Sequence, residues 1–183
     1  MAFVVTIGGS PSGSSRSAAV LDLARQRLQA RGNETEAIVV RSLNPEDLIY
    51  ERYESPALKA TFETVSRADG IIIATPIYKA AYSGVLKVYL DLLPANSFAQ
   101  KVVLPMATGG SPAHTLVIDY ALRPVLTALG SSHILGGVYL IDSEIKPLNA
   151  ASDTSAIQLE TSAAERFEAA LDELMRVVAS KPN

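Results

Sequence analysis

The chain contains no cysteine and only two histidines, His114 and His133. Without thiols it forms no disulfide, runs no thiol redox chemistry and offers no Cys-ligated zinc. Two imidazoles argue against a His-based metal site, so the expectation is no metal. No stretch approaches the roughly 18 apolar residues of a membrane span. The apolar run at the N-terminus is too short for a signal peptide and has no basic flank, so a cytoplasmic location is expected. Positive charge is not in excess either. Sixteen Lys and Arg against 19 Asp and Glu give a net charge of −3, which argues against nucleic-acid partners. There is no internal repeat, no low-complexity tract and no G-x-S-x-G, so a repeat array and a serine hydrolase both lose support.

What remains is an ordinary globular composition, 48% hydrophobic and 19% charged over 183 residues. The expectation is one domain, residues 1–183, long enough to bury roughly 70% of its unfolded surface. Four apolar, β-branched runs stand out: Phe3–Ile7, Ala37–Val40, Gly70–Ala74 and Val102–Ala107, with a weaker fifth at Gly137–Ile141. Ile71, Ile72 and Ile73 are apolar in succession, the pattern of a strand buried on both faces. Helical periodicity alternates with these runs over Ser15–Arg31, from Ser55-Pro56 onward, Ser83–Leu93, Ser111 to about Leu129, and Thr154–Ala179. Ser-Pro pairs open two of these helices as cap and first residue. Arg41–Tyr53 reads as a surface excursion and Asp142–Asp153 as a mobile loop. Strand–helix alternation predicts an α/β, doubly wound parallel sheet of five strands in the flavodoxin-like order 2-1-3-4-5, with helices on both faces.

The chemistry is concentrated in three stretches that such a sheet brings to the carboxyl ends of its strands. The first is Gly8-Gly9-Ser10-Pro11-Ser12-Gly13-Ser14-Ser15-Arg16-Ser17, between the first strand and the first helix. Small hydroxyl residues before a helix N-terminus suit a phosphate, through unpaired N–H groups and the helix dipole; a plain serine-capped turn is the alternative. Ser14 stands where a Walker A loop needs lysine, and no register satisfies G-x-G-x-x-G. An NTP site and the usual dinucleotide site therefore recede in favour of a mononucleotide. The second stretch, Thr75–Gly84, offers Pro76, Ile77, Tyr78 and Lys79 as a wall for a flat ring. The third, Ala107-Thr108-Gly109-Gly110-Ser111, is a glycine turn whose N–H groups suit carbonyl oxygens of such a ring. A phosphate site beside a flat polar ring site describes flavin mononucleotide.

These stretches also resemble a known family. TPIYKAAYSG (Thr75–Gly84), KVVLPMATGG (Lys101–Gly110), Gly9-Ser10-Pro11 with Ser15-Arg16-Ser17, and Ala113-His114 with Asp119–Val125 are similar to the NADPH-dependent FMN reductases. Within that family they are most similar to the reductase component of two-component alkanesulfonate monooxygenase systems. The resemblance covers the chain to about Asp142. It implies FMN phosphate contacts from Ser10, Ser15, Arg16 and Ser17. It implies ring contacts from Pro76, Ile77, Tyr78 and Lys79, with Thr108, Gly109 and Gly110 at the polar edge and Ser83 lining the pocket or a subunit interface. Many relatives carry a basic residue soon after the loop's proline, where this chain has Ser12-Gly13.

Pro124 lies within the helix expected from Ser111, and its ring and missing N–H disturb the ladder at Tyr120. A π-bulge and a plain kink with Tyr120 in the core both accommodate this. The resemblance implies the former, with Tyr120 at the interface of a homodimer or homotetramer. The implied function is hydride transfer from NADPH or NADH to flavin N5, which needs no protein acid, base or nucleophile. Reduced FMN would then pass to a partner monooxygenase in sulfonate metabolism. The rival readings are an enzyme that keeps FMN and reduces quinones, azo compounds or metal oxyanions, and a flavodoxin-type electron carrier.

Overall fold

The computed structural model describes residues 1–148 and 157–181. A parallel sheet is built from β1 (Phe3–Gly8), β2 (Glu34–Val39), β3 (Gly70–Tyr78) and β5 (Val102–Gly109), in the order β2-β1-β3-β5. The far edge of β5 carries two short parallel pieces, β6 (His133–Ile134) and β7 (Val138–Ile141). Together these occupy the fifth position, so the expected 2-1-3-4-5 order holds with its last strand interrupted. The interruption faces Pro105 of β5, a residue with no N–H to donate. Gly137 passes there with φ 82, where a Cβ would stand 2.8 Å from the Pro105 carbonyl oxygen. Only glycine fits that approach.

Both faces of the sheet are covered. Helices α1 (Arg16–Ala30) and α6 (Thr161–Ala179) bury Leu21, Leu28, Phe167 and Leu171 against Val4, Ile72 and Leu104. Helices α3 (Pro56–Arg67), α4 (Gly84–Leu92) and α5 (Arg123–Ala128) bury Leu58, Leu86, Leu90 and Leu126 against Val5, Ile71, Ile73 and Val103. The three successive isoleucines thus divide between the two cores, as their unbroken apolar run predicts.

Five features differ from the sequence expectation. The Arg41–Tyr53 excursion contains a 3-10 turn at Val40–Ser42 and a short helix, α2 (Pro45–Ile49), capped by Asn44 Oδ1 from Glu46 N at 2.9 Å. The Ser55 hydroxyl does not cap α3 but donates to Asp47 of α2. The final helix begins at Thr161, because Ile157-Gln158-Leu159 forms a strand, β9, paired antiparallel with β8 (Ile145–Pro147). Their buried–exposed–buried alternation has the period of a strand. Of the loop expected over Asp142–Asp153, residues 142–147 form a 3-10 turn and β8, and 149–153 lie outside the described residues. The helix expected from Ser111 is divided into a 3-10 turn (Pro112–His114), a π-turn (Ile118–Leu122) and α5. The Arg123 N–H donates to the Ile118 carbonyl five residues back. Pro124 thus shifts the ladder rather than merely bending it, and Tyr120 is 79% exposed instead of packed in the core.

Candidate active site

The site is built from four chain crossings at the carboxyl edge of the sheet. Parallel register aligns Gly8 of β1 with Ala74 of β3, Pro76 of β3 with Thr108 of β5, and Gly109 of β5 with Ile141 of β7. The loops that follow β1, β3, β5 and β7 therefore leave the sheet side by side.

The first loop is fixed where it starts. Gly9 N donates to Ala74 O at 2.8 Å, and the buried Ser83 hydroxyl donates to Gly9 O. A Cβ on Gly9 would lie 2.6 Å from Leu86 Cβ, so the missing side chain is what lets α4 approach. Ser10 is buried, and its Oγ accepts from Ser12 N at 3.1 Å. Ser15 caps α1, its Oγ accepting from Ala18 N and lying 2.7 Å from Ser17 Oγ. The N–H groups of the first turn of α1, Arg16 and Ser17 among them, have no acceptor within the helix and face the loop. This is a hydroxyl-lined, amide-lined cup with the positive end of the α1 dipole behind it.

The second stretch is not a plain loop. β3 continues through Pro76, Ile77 and Tyr78, and the chain turns back as β4 (Ala81–Tyr82). The two turn residues, Lys79 and Ala80, both have positive φ, 51° and 62°. Such a two-residue primed turn normally selects Asn or Gly, so Lys-Ala stores strain at the tip. Tyr78 is 51% exposed there. Thr75 Oγ1 accepts from Ser83 N at 3.0 Å, and Ser83 Oγ accepts from Leu86 N at 3.1 Å. The Ser83 side chain is thus committed as the cap of α4 and the tie to the first loop.

In the third stretch Thr108 is buried and Gly110 exposed. Gly109 passes beneath the Tyr139 hydroxyl, which would collide with any Cβ there; that hydroxyl donates to Ser111 O at 2.7 Å. Burial and the nearby Asp142 carboxylate raise the Tyr139 pKa, keeping it a donor. Ile77 lies 3.6 Å from the Cβ position at Gly109, which joins the second stretch to the third.

Three contributors escaped the sequence reading. Arg41, just after β2, brings its guanidinium to the first loop, with Nη2 3.4 Å from the Cβ position at Gly13. A basic group thus reaches Ser12-Gly13 from another part of the chain. Asp142, just after β7, pairs with Arg16 at 3.4 Å between Oδ2 and Nη1. Tyr139 shapes the glycine turn. Each acts across the fold, and neither spacing nor periodicity announces such a contact.

A concavity of about 1010 Å³ lies at the opposite edge of the sheet, lined in part by Asp69, Lys101, His133 and Lys181. Its lysines are structural. Lys101 Nζ donates to Ser66 O and Ala68 O, and Lys181 Nζ to Asp69 O and Gln100 O. The carboxyl edge instead combines the serine-lined cup at the α1 N-terminus, glycines that admit close approach and the Pro76–Lys79 hairpin. Those features fit a phosphate monoester joined to a flat heterocycle.

Comparison with known proteins agrees with that chemistry. A model of the family described as NADPH-dependent FMN reductase matches residues 3–146. An FMN reductase (NADPH) of Pseudomonas putida is 45% identical over 179 residues, 98% of this chain and 89% of that protein. An FMN reductase (NADPH) of Escherichia coli is 51% identical over 142 residues, 78% of this chain and 74% of that one. Among solved structures, the apo form of an NADH:FMN oxidoreductase (EMOB) superposes with a TM-score of 0.88 at 37% identity, covering 100% of this chain and 92% of the other. By the match along most of its length, this chain belongs to the NADPH-dependent FMN reductase family.

Proposed function

We propose that this NAD(P)H-dependent FMN reductase handles FMN as an exchangeable substrate and supplies it reduced to a partner monooxygenase. The observation that carries the reading is the meeting of the anion cup, the Pro76–Lys79 hairpin and the Thr108–Gly110 turn at one sheet edge. In this reading Ser10, Ser15, Arg16 and Ser17 hold the phosphate with the first-turn amides of α1. Pro76, Ile77, Tyr78 and Lys79 form a wall beside the ring, and Thr108, Gly109 and Gly110 meet its polar edge. Ser83 positions the cup rather than touching the ligand, because its hydroxyl is already bonded to Gly9 and Leu86.

FMN bound there would supply the redox chemistry, as the acceptor of a hydride (one proton with two electrons) from a reduced nicotinamide. The protein's part is to orient two flat rings and keep water out. The strained Lys79-Ala80 turn holds Tyr78 at the rim, where it can cover or uncover a stacked ring. With a reduced nicotinamide nucleotide as donor, the protein works in the cytoplasm. Exposed Tyr120 and Leu116, one turn apart, form an apolar pair on which copies of the chain associate as a dimer or tetramer.

NAD(P)H oxidation by purified protein under air, with and without added FMN, tests the reading. Turnover that rises and saturates with free FMN supports it. A protein that stays yellow through dialysis and needs a quinone or azo acceptor would replace it with a bound-cofactor reductase. Deleting Tyr120 should change the assembly size by light scattering, and an unchanged size would remove Tyr120 from the interface.

A further inference from the structure

We propose that Asp142 is an internal competitor for the flavin phosphate: it holds Arg16 in an ion pair that FMN must break, and so makes FMN exchangeable. The inference rests on the reading of the Ser10–Ser17 cup as the phosphate site. Among the described residues the one carboxylate paired with Arg16 is that of Asp142, at 3.4 Å. The same oxygen, Oδ2, lies 3.9 Å from the Cβ position at Gly110. A negative charge is therefore fixed between the anion cup and the glycine turn, inside the ring of loops where a dianion is to bind.

The backbone that carries this carboxylate is braced. Asp142 opens the 3-10 turn Asp142–Glu144 directly after β7, whose Ile141 is in register with Gly109. That turn is braced by Glu144, which accepts from Ile141 N at 2.8 Å and from Arg166 at 2.9 Å. Asp142 is thus held near the loop on a backbone that cannot easily retreat.

An arriving phosphate meets two costs at this position. It must take the Arg16 guanidinium from a carboxylate, and it places its own charge near that carboxylate once Arg16 is shared. Both costs fall on the phosphate and not on the ring. The half-exposed setting, 51% for Arg16 and 39% for Asp142, keeps the penalty small. A small penalty is what exchange requires: enough to raise the release rate, too little to abolish binding. The geometry of Arg16 alone would make it a simple phosphate clamp; its pairing makes it a contested one.

Flavin-fluorescence titration of the whole protein at low ionic strength tests this, with FMN and riboflavin as probes. Asp142→Asn should tighten FMN about fivefold, the upper end for an exposed ion pair, and leave riboflavin unchanged. The gain should shrink when Arg16→Ala is also present, to what the direct repulsion between carboxylate and phosphate contributes, and in the single variant stopped-flow release of FMN should slow in proportion; a gain undiminished by Arg16→Ala overturns the competition for Arg16. Asp142→Glu, which keeps the charge, should leave the FMN affinity near that of the wild type. Asp142→Ser serves in place of Asn if thermal unfolding shows the first variant misfolded. Unchanged or weakened FMN binding in the charge-removed variants overturns the proposal, as does equal tightening of riboflavin. Failure of the wild type to bind FMN at all overturns the functional reading itself, and this inference with it.

Discussion

Adding one methyl group at Gly9 is the sharpest probe of how the anion cup is built. An alanine Cβ there would stand 2.6 Å from Leu86 Cβ, 3.1 Å from Cγ and 3.2 Å from Cδ1. The nearest of these falls roughly 1 Å inside ordinary contact, and it belongs to the stem of a fully buried side chain rather than to a flexible tip. Leu86 cannot yield easily, because its N–H is bonded to the capping Ser83, whose hydroxyl is also bonded to Gly9. The methyl must therefore push the loop and α4 apart, stretching the bonds from Gly9 to Ala74 and Ser83. Overpacking of this kind costs about 1–3 kcal/mol. At about 2 kcal/mol a chain of this length loses about 4–8 °C in Tm. The displaced cup should also lose about one charge-assisted hydrogen bond to phosphate, about tenfold in FMN affinity. Calorimetry and FMN titration read the two effects separately. Leu86→Ala combined with Gly9→Ala should show only a partial coupling, about 0.5 kcal/mol or more, because the truncation removes the contacts at Cγ and Cδ1 but leaves Cβ 2.6 Å from the new methyl. A Gly9→Ala protein with wild-type Tm and FMN affinity would refute the reasoning, as would strictly additive costs in the pair.

Ala80→Gly removes the left-handed strain at φ 62° and should raise stability by about 1 kcal/mol in urea unfolding, while loosening the hairpin tip and raising KM for FMN. Stability unchanged or lowered would mean the turn stores no strain. Arg41→Ala should weaken FMN by about 0.5–1 kcal/mol with riboflavin unaffected, since its guanidinium reaches the loop at Gly13 from outside; equal loss for both ligands would place Arg41 in the scaffold instead. Glu144 is pulled in opposite directions: burial raises its pKa, but hydrogen bonds from Arg166 and Ile141 N outweigh this and leave it below the usual 4.5. Its folded-state pKa is thus depressed, so its stabilisation is fully present above about pH 4.5 and lost as pH falls through the lower folded value. The stability difference between wild type and Glu144→Gln, by urea midpoint, should therefore be largest near pH 6 and shrink toward pH 3. A difference that stays constant would show that the carboxylate charge contributes nothing.

Most of the central sheet was legible in the sequence through local signals. The β-branched runs marked the strands, and Ile71-Ile72-Ile73 announced a strand buried on both faces. The missing lysine at Ser14 narrowed the ligand class. Local signals were also overlooked. Asn44-Pro45-Glu46-Asp47 carries the same cap, proline and acidic first turn that mark helices elsewhere, yet α2 is so short that its charges read as surface. Ile157-Gln158-Leu159 alternates with the period of a strand, but three residues are too few to outweigh the helical pattern that follows.

By itself the sequence determined the order of the sheet, the three stretches that reach its carboxyl edge and the chemistry of their side chains. Periodicity and turn residues act over a few positions, and a parallel sheet converts them into one possible arrangement of loop ends. It also located the disturbance at Tyr120, because a proline acts on a carbonyl only four residues away. Tertiary structure alone decided that this disturbance is a π-turn with Tyr120 outside. It alone brought Arg41 to Gly13, set Leu86 in the place of a Gly9 side chain, and paired Arg16 with Asp142, 126 positions further along the chain. Those contacts join residues with no neighbouring pattern to betray them. Their energies come from packing and charge at a few ångströms, which exist only once the strands have brought distant chain segments to the same edge.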